Sequence, residues 1–226
     1  MICTLGVEIP IHMNKINTSD RRQFLRRSTT LSVAMAGLPL LGCMAAGPQA
    51  NKDSIYLVGP QDGFSPHVGS LLSMMTMMRH WIVEGVKDLS VEELDYQIDD
   101  NSNSIGAMLY HLVATERLYQ INTFEGIPWG EWDEEINRKW QIPMGLGEEA
   151  RKEIKGHDIE FYLKKLIEVR EATIKGFSER DDDWLMESVS FFDNQPTNNY
   201  CKWFHVCEHE SNHNGQIKFI KKRINL

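Results

Sequence analysis

The stretch of residues 200–224 carries three histidines at four-residue intervals, and it constrains the fold more than any other part of the chain. A step of four residues turns an α-helix by about 40°, so His205, His209 and His213 lie on one stripe about 80° wide. Apolar residues such as Trp203 flank this stripe, which therefore faces a protein core and not water. Two neighbouring histidines of such a stripe can share one metal ion.

Three earlier segments repeat apolar residues at three- and four-residue spacing, which is typical of helices packed against a core. The pattern predicts helices over residues 65–89, 105–124 and 158–180, with helix-start signals at Ser65-Pro66, Ser104 and Asp158. Together with the histidine-bearing segment they make four long helices, and no segment shows a convincing strand pattern. We therefore predict an all-α bundle.

Residues 125–156 join the second and third of these helices, and we interpret them as one long connection. They contain Trp129, Trp132 and Trp140 among Gly and Pro residues, and their pattern is neither periodic nor polar. The aromatic side chains favour one of two roles, which are closing over a pocket mouth and packing against the bundle ends. Residues 181–197 form a second connection before the last helix.

One further histidine, His111, lies among the apolar residues of the second predicted helix. A single histidine in that position is more often a structural residue than a ligand. The histidine stripe of the last helix changes this expectation, because metal sites in helical bundles are built from side chains of facing helices. The sequence therefore predicts a metal site between the second and fourth helices.

The first 42 residues have the character of an export signal. Residues 19–25, SDRRQFL, resemble a twin-arginine signal, and an apolar run without acidic residues follows from Leu31 to Gly42. The run is too short to span a bilayer as a stable helix. It ends in Leu40-Leu41-Gly42-Cys43, which resembles the lipobox before a lipid-modified cysteine. A buried helix that contains a chance arginine pair is the alternative interpretation.

We therefore expect three regions in the chain. They are an export signal over residues 1–42, a flexible tether over residues 43–64 and a helical domain over residues 65–226. Lipidation at Cys43 would anchor the mature protein in the cell envelope, on its periplasmic side. A start at Met13 instead of Met1 would shorten the leader, and the sequence leaves both starts open.

The chain has a net charge of −8, and the part after residue 42 is more acidic still. Nucleic acid binding needs clustered lysine and arginine, and residues 218–223 hold the one basic cluster of that part. This cluster lies at a predicted helix C-terminus, where the helix dipole already favours cations. We therefore exclude nucleic acid as a partner. We expect a small-molecule substrate and membrane contact only through the lipid anchor, and we leave a homodimer open.

Several of these residues together resemble the DinB/YfiT-like superfamily. The resemblance covers residues 65–224, and its motifs are Asn103-Ser104-Ile105-Gly106, His111, Glu208-His209-Glu210 and His213-Asn214-Gly215-Gln216-Ile217. It implies an up-down-down-up four-helix bundle with a long crossover between the second and third helices. It also implies that His111, His209 and His213 are the metal ligands, with His205 as a pocket-lining or second-shell residue.

Three neutral imidazoles leave positions open on a metal ion, which is the usual pattern of catalytic zinc. Nickel, iron or manganese would fit the same ligands. We therefore expect a metal-dependent enzyme, either a hydrolase or a thiol-type transferase, that acts on a small molecule in the envelope. A non-catalytic metal-binding envelope lipoprotein is the alternative.

Residues 209–213 also match the H-E-x-x-H motif of metallopeptidases. A peptidase takes its third zinc ligand from downstream, and none of the thirteen residues after His213 is His, Glu, Asp or Cys. A peptidase is therefore the weakest of the three functions. Glu210 remains the candidate catalytic residue, as the proton acceptor of a hydrolase. An outer-shell or surface role for Glu210 is the alternative.

Overall fold

The computed structural model describes residues 54–191 and 195–224, in which four long helices form a bundle. In chain order the elements are α1 Pro66–Val86, α2 Val91–Asp95, α3 Ile105–Thr123, α4 Glu134–Gly145, α5 Gly147–Glu153, α6 Ile159–Ser178, α7 Asp182–Met186, β1 Ser188–Phe191, β2 Gln195–Asn198 and α8 Asn199–Ile224. The long helices α1, α3, α6 and α8 match the four predicted segments, and the all-α bundle is confirmed.

Polar side chains fix where the long helices begin. The Ser104 hydroxyl accepts a hydrogen bond from the N–H of Ala107 at the start of α3, and Asp158 caps α6 in the same way. Ser65 precedes α1 without capping it. Instead, Asp182 of α7 accepts from the Ser65 hydroxyl and from main-chain N–H groups of the first turn of α1. This contact ties α7 to the start of the bundle.

The long helices pack in a ring, in which α1 contacts α8, α8 contacts α3, α3 contacts α6, and α6 contacts α1. The side chain of Tyr162 on α6 lies against Gly106 of α3. A Cβ atom at this position would lie 2.6 Å from the hydroxyl oxygen of Tyr162, so only glycine fits there. The motif residue Gly106 thus has a packing reason, and the close approach fixes the position of α3.

Two connections contain more structure than the sequence predicted. The crossover between α3 and α6 holds helices α4 and α5, so its interpretation as one long loop was wrong. The start signal of α4 is Asp133, whose carboxylate accepts from the N–H of Ile136. The expectation of no strands was also wrong, because β1 and β2 form an antiparallel hairpin in which Ser188 faces Asn198.

The proposed export signal, the lipobox and residues 43–53 of the tether lie outside the described residues. The remaining tether residues, 54–64, contact α1 through a hydrogen bond from the N–H of Gly59 to the hydroxyl of Ser73. Within residues 54–191 and 195–224, no helix has both the length and the apolar character that crossing a membrane requires.

Candidate metal centre

Three histidine rings from two helices meet inside the bundle. The Nε2 atom of His209 on α8 lies 2.7 Å from Nε2 of His111 on α3 and 3.2 Å from Nε2 of His213 on α8. The candidate ligand atoms all lie within 4.8 Å of one another. His111 and His213 are buried, whereas His209 is half-buried. The structure thus brings together the three residues that the sequence named as ligands, and we call them the histidine cluster.

Oxygen acceptors hold the opposite ring nitrogens of two of these histidines. Nδ1 of His111 lies 2.9 Å from the carbonyl oxygen of Pro143, and Nδ1 of His213 lies 2.8 Å from Oε1 of Gln216. Because a carbonyl oxygen only accepts, each Nδ1 carries the ring proton, and each Nε2 presents a lone pair to His209. Hydrogen bonds of this kind fix the ring orientation of metal-binding histidines.

The histidine cluster fits a cation better than it fits a hydrogen-bonded arrangement. A neutral His209 has one ring proton, so its Nε2 can donate to His111 or to His213 but not to both. One buried lone pair then stays without a partner, which costs free energy. Nitrogens that share a tetrahedral zinc ion lie about 3.3 Å apart. The 3.2 Å distance matches that value, and the 2.7 Å distance needs a small outward movement.

Burial keeps the histidine cluster uncharged. The pKa of His111 is lowered to about 4, first by burial and then by His213. The pKa of His209 is lowered to about 3 by burial and by the neighbouring histidines, and burial also lowers the pKa of His213. All three rings are therefore neutral near pH 7, which is the form that binds metal ions.

The acceptor for His111 comes from the last turn of α4. The final carbonyl groups of an α-helix lack partners within the helix, and the Pro143 carbonyl is one of them because α4 ends at Gly145. The chain leaves α4 through Leu146, whose φ of 51° is left-handed. The N–H of Gly147 then donates to Oδ1 of Asn103, just before α3. The crossover is thus tied to α3 beside the histidine cluster.

The sequence profile of the DinB superfamily matches residues 75–217, which run from α1 to α8 and include the whole histidine cluster. This protein belongs to the DinB superfamily. No curated protein matches its sequence.

Several solved structures resemble this DinB protein. A DinB-like protein from Bacillus cereus is 19% identical, with 70% of this chain and 92% of that chain covered and a TM-score of 0.47. The colibactin self-resistance protein ClbS, solved in complex with double-stranded DNA, is 13% identical, with 69% and 95% covered and a TM-score of 0.50. An uncharacterised protein from Escherichia coli is 15% identical, with 70% and 95% covered and a TM-score of 0.50. At these identities the likeness establishes the fold alone.

The exclusion of nucleic acid, which we drew from the net charge, is wrong. ClbS shares its fold with this DinB chain and was solved with double-stranded DNA. A net charge describes the whole surface, whereas DNA contacts one face, whose local charge decides the attraction. The charge of −8 is therefore no ground for excluding such a partner.

His205 lies one helical turn before His209, at the solvent side of the histidine cluster. Its ring centroid is 5.3 Å from that of His209 and 5.8 Å from that of Tyr119, and its side chain is 40% exposed. Its Nδ1 lies 3.4 Å from Oε2 of Glu208. The buried ring of Tyr119 lies 5.1 Å from the half-buried ring of Trp129, so the aromatic packing continues beyond His205. His205 is therefore beside the cluster and not within it.

Glu210, the candidate catalytic residue, lies in the bundle interior and contacts two arginines. It is 1% exposed, so it is not a surface acid. Its Oε1 accepts from Nε of Arg79 at 3.0 Å and from Nη2 of Arg170 at 2.7 Å. Among the described residues, no hydrogen bond joins its carboxylate to His209 or His213. Its role as a proton acceptor stays a prediction, and these contacts do not favour it.

Glu210 belongs to a network that takes one ionised residue from each long helix, and we call it the ion-pair network. Its members are Arg79 of α1, Glu116 of α3, Arg170 of α6 and Glu210 of α8. Glu116 accepts from Arg79 and from Arg170, each at 2.7 Å. Burial alone would raise the pKa of Glu116, but Arg170 and Arg79 outweigh it and lower the pKa to about 2. The four charges therefore compensate one another.

The roles of Gln216 and Pro143 in holding the histidine rings were not predicted. Gln216 lies three residues after His213, a spacing that places both side chains on one face of a helix, so it could have been found. Pro143 acts through its main-chain carbonyl, so its side chain gives no signal.

Arg79 and Glu116 of the ion-pair network were also missed. Each of these charged residues interrupts a buried apolar stripe, which was a usable signal.

Proposed function

We propose that this DinB protein holds a divalent metal ion through His111, His209 and His213 and acts there on a small molecule. The observation that supports this most is the convergence of three Nε2 atoms, with two of the rings oriented by hydrogen bonds at Nδ1. Zinc is the first choice, because three histidines with one open position are a usual catalytic zinc site, and nickel, iron or manganese accept the same ligands. When bound, the ion would supply Lewis acidity to polarise a substrate group.

The substrate would approach the half-buried edge of His209. The rings of His205, Tyr119 and Trp129 line this side, each within 6 Å of the next between ring centroids. These rings would orient an apolar part of the substrate and exclude water from it. His205, with its side chain 40% exposed, lies at the solvent edge of these rings. The proposal thus assigns orientation of the substrate to the aromatic rings.

The contacts of Glu210 favour a thiol-type transferase over a hydrolase. A hydrolase that relies on this residue needs a carboxylate free to accept a proton from the attacking water. Arg79 and Arg170 both donate to Oε1 of Glu210, whereas its buried Oε2 has no hydrogen-bond partner among the described residues and makes no hydrogen bond with a ring nitrogen of His209 or His213. Transfer of a thiol does not depend on such a carboxylate. The same contacts also weaken the peptidase interpretation of residues 209–213.

Replacement of Glu210 by glutamine separates these two reaction classes. We expect the Glu210→Gln protein to keep its metal content and to turn over within about threefold of the unaltered protein. Its folded fraction is measured first by circular dichroism, and Glu187→Gln, which alters an exposed residue, is the control. A loss of about a hundredfold in turnover with full metal content would instead identify Glu210 as a hydrolytic base.

Elemental analysis of protein purified from its native host tests the metal site. We expect one divalent ion per chain, and we expect none in His111→Ala. His67→Ala, which alters an exposed histidine outside the cluster, is the matched control and should keep the ion. Equal metal content in all three proteins would contradict the ligand set.

A substrate screen then separates an enzyme from a passive binder. Thiol adducts, esters and amides would be tested with metal-loaded protein and with His111→Ala. Turnover that requires the metal ligands supports an enzyme. Full metal content with no turnover of any compound would favour the non-catalytic envelope lipoprotein.

Export and lipid anchoring at Cys43 belong to the same proposal, and they rest on residues outside the described part of the chain. Cys43→Ser should leave the protein without lipid, and the pair Arg21→Lys and Arg22→Lys should hold it in the cytoplasm. Cell fractionation and intact mass measure both effects. An unmodified N-terminus on cytoplasmic protein would contradict this part of the proposal.

Binding of double-stranded DNA is a second candidate function, and the ClbS complex is the observation that favours it. A mobility shift of a duplex at about 50 mM salt that weakens steeply by about 200 mM would support it, because phosphate contacts release counterions. The absence of any shift at the lower salt concentration would remove it.

A further inference from the structure

A groove between α3, α4 and α6 lies on a different face of α3 from the histidine cluster. Its α3 residues Tyr110, Val113 and Arg117 are spaced by three and four, so they share one helix face, and His111 is turned about 100° away from Tyr110. The groove has a volume of about 240 Å³, and no residue of the histidine cluster lines it. Trp140 of α4 forms one wall, and we call this space the Trp140 groove.

An aromatic wall and a cationic rim meet in this groove. The ring centroids of Tyr110 and Trp140 lie 6.2 Å apart, with the ring planes inclined by 62°. Nζ of Lys139 lies 5.1 Å from the centroid of the Trp140 ring. Arg117 and Lys165 complete the rim, so three cations surround one space in a chain whose net charge is negative.

Acidic residues compensate only part of this positive charge. Arg117 pairs with Glu125 at 2.6 Å, and Lys165 pairs with Glu168 at 2.9 Å. Lys139 forms no ion pair with any residue in the described ranges 54–191 and 195–224. Its charge is instead close enough to lower the pKa of Glu168, after the larger effect of the hydrogen bond from Lys165. The carboxylate of Glu168 therefore already lies where the anionic group of a ligand would be stabilised.

A buried amide fixes the orientation of the arginine. Gln120 is 2% exposed, and its Nε2 donates to the carbonyl oxygen of Val169 at 2.7 Å and to the hydroxyl of Thr173 at 2.8 Å. These bonds leave Oε1 of Gln120 to accept from Nη1 of Arg117 at 3.2 Å. The guanidinium group is thus held in place before any ligand arrives, which lowers the entropy cost of binding.

We propose that the Trp140 groove binds a small organic anion with one aromatic ring, such as an aryl carboxylate or an aryl phosphate. The ring packs on Trp140, and the acidic group faces Lys139 and Arg117. A volume of 240 Å³ is below the range of about 300–1,000 Å³ that drug-sized ligands occupy, so the ligand is limited to about one ring and its acid. This site needs no metal ion and is separate from the proposed function.

Calorimetric titration of the full chain with four compounds tests the proposal. Benzoate and phenyl phosphate should bind. Benzamide has the shape of benzoate without its charge, and inorganic phosphate has the charge without the ring, so each should bind at least about tenfold more weakly. Benzamide that binds as tightly as benzoate, or no binding of either aromatic anion, would overturn the proposal. Duplex DNA as the only anion that binds would overturn it as well.

Two substitutions that should change the affinity for benzoate in opposite directions make the test specific. Lys139→Gln should weaken benzoate binding by about threefold, because it removes a rim charge, and Glu168→Gln should tighten it by about threefold, because it removes the internal anion. The control pair is Lys152→Gln and Glu148→Gln, which alters an exposed ion pair on α5. The proposal fails if both groove substitutions act in the same direction or act like the control pair.

Discussion

Two buried polar clusters occupy neighbouring positions on the same helices and are built in opposite ways. The ion-pair network contains two arginines and two glutamates, whose charges balance within the bundle, although Nη1 of Arg170 and Oε2 of Glu210 have no hydrogen-bond partner among the described residues. The histidine cluster contains three neutral rings of one kind, whose Nε2 atoms face the same point. Opposite charges thus balance in the first cluster, whereas the second brings together groups of one kind.

The contrast shows how to separate a structural cluster from a functional one in this fold. Glu210 directly follows His209 in the sequence, with Glu210 buried and His209 half-buried, so sequence position does not tell them apart. The two clusters differ in whether their own side chains carry opposite charges or are groups of one kind. Opposite charges that compensate one another hold helices together, whereas like groups that converge require something from outside.

The largest expected effect is loss of stability on breaking the ion-pair network. Glu116→Gln leaves Arg79 and Arg170 with one carboxylate between them, so the free energy of unfolding should fall by about 3–5 kcal/mol. Urea unfolding followed by circular dichroism measures it. Glu125→Gln breaks a partly exposed ion pair and should cost less than about 1 kcal/mol.

A paired replacement keeps this prediction testable if Glu116→Gln does not fold. Glu116→Leu combined with Arg170→Met removes one charge of each sign and should be more stable than Glu116→Gln. Equal losses in Glu116→Gln and Glu125→Gln would show that the network does not stabilise the bundle.

The contribution of the histidine cluster to the free energy of unfolding should depend on a bound metal ion. At a free zinc concentration about 1,000 times the dissociation constant, the free energy of unfolding should rise by about 4 kcal/mol. His209→Ala should abolish this increase, because it removes the ring that contacts both other ligands. Thermal unfolding with and without zinc measures the difference, and His205→Ala serves as the control. An undiminished increase in His209→Ala would place the ion elsewhere.

A smaller effect should follow when the His213 ring loses the hydrogen bond that orients it. Gln216→Leu removes the acceptor of the His213 Nδ1 proton, and zinc affinity should fall by about tenfold. Competition with a chelator measures the affinity, and Ser211→Ala, an exposed change on the same helix, should leave it unchanged. Equal affinities in the two variants would show that the hydrogen bond does not orient the ligand.

The smallest effect, taken per unit of pH, separates the two clusters in the metal-free protein. Burial lowers the pKa of His111 from 6.5 to about 4, so between these values the unfolded chain binds a proton that the folded chain does not. Stability should therefore fall as pH falls, by at most about 1.4 kcal/mol per pH unit for each such histidine. The Glu116 pKa is lowered from 4.5 to about 2, so its contribution is lost only below pH 4.5.

Unfolding curves of His111→Phe at different pH values test the first of these two pH ranges, from pH 6.5 to about 4. This variant should flatten the pH dependence between pH 6.5 and about 4 and leave the loss due to Glu116 below pH 4.5 in place. A slope that does not change in the upper window would contradict the assignment to His111.

The bundle was predictable from sequence because its signals are local. Apolar spacing marked the four long helices, and Ser104 and Asp158 marked two of their starts. Histidines four residues apart on α8 had to share a face, which is why the structure brings His209 and His213 together. The partnership with His111 rested on the rule that bundle metal sites are built from facing helices and on the resemblance to a family, because no local spacing joins α3 to α8.

Other features were hidden because they depend on tertiary contacts or on the main chain. Helix α4 is largely polar and contains Pro143, so its pattern did not resemble that of a core helix, although Asp133 gave a start signal. The interior charges of Arg79 and Arg170 were visible, but their common partners come from other helices. A carbonyl acceptor such as that of Pro143 has no signature in the sequence.

Helix α4 serves both sides of the domain, since Trp140 lines the groove and Pro143, almost one helical turn later, holds His111. The two positions belong to one rigid element, and this makes them subject to thermodynamic linkage. If a ligand in the Trp140 groove changes the metal affinity through α4 by some factor, the metal must change the affinity of that ligand by the same factor. A crossover that joins two bundle helices would then act as the coupling element of a two-site protein.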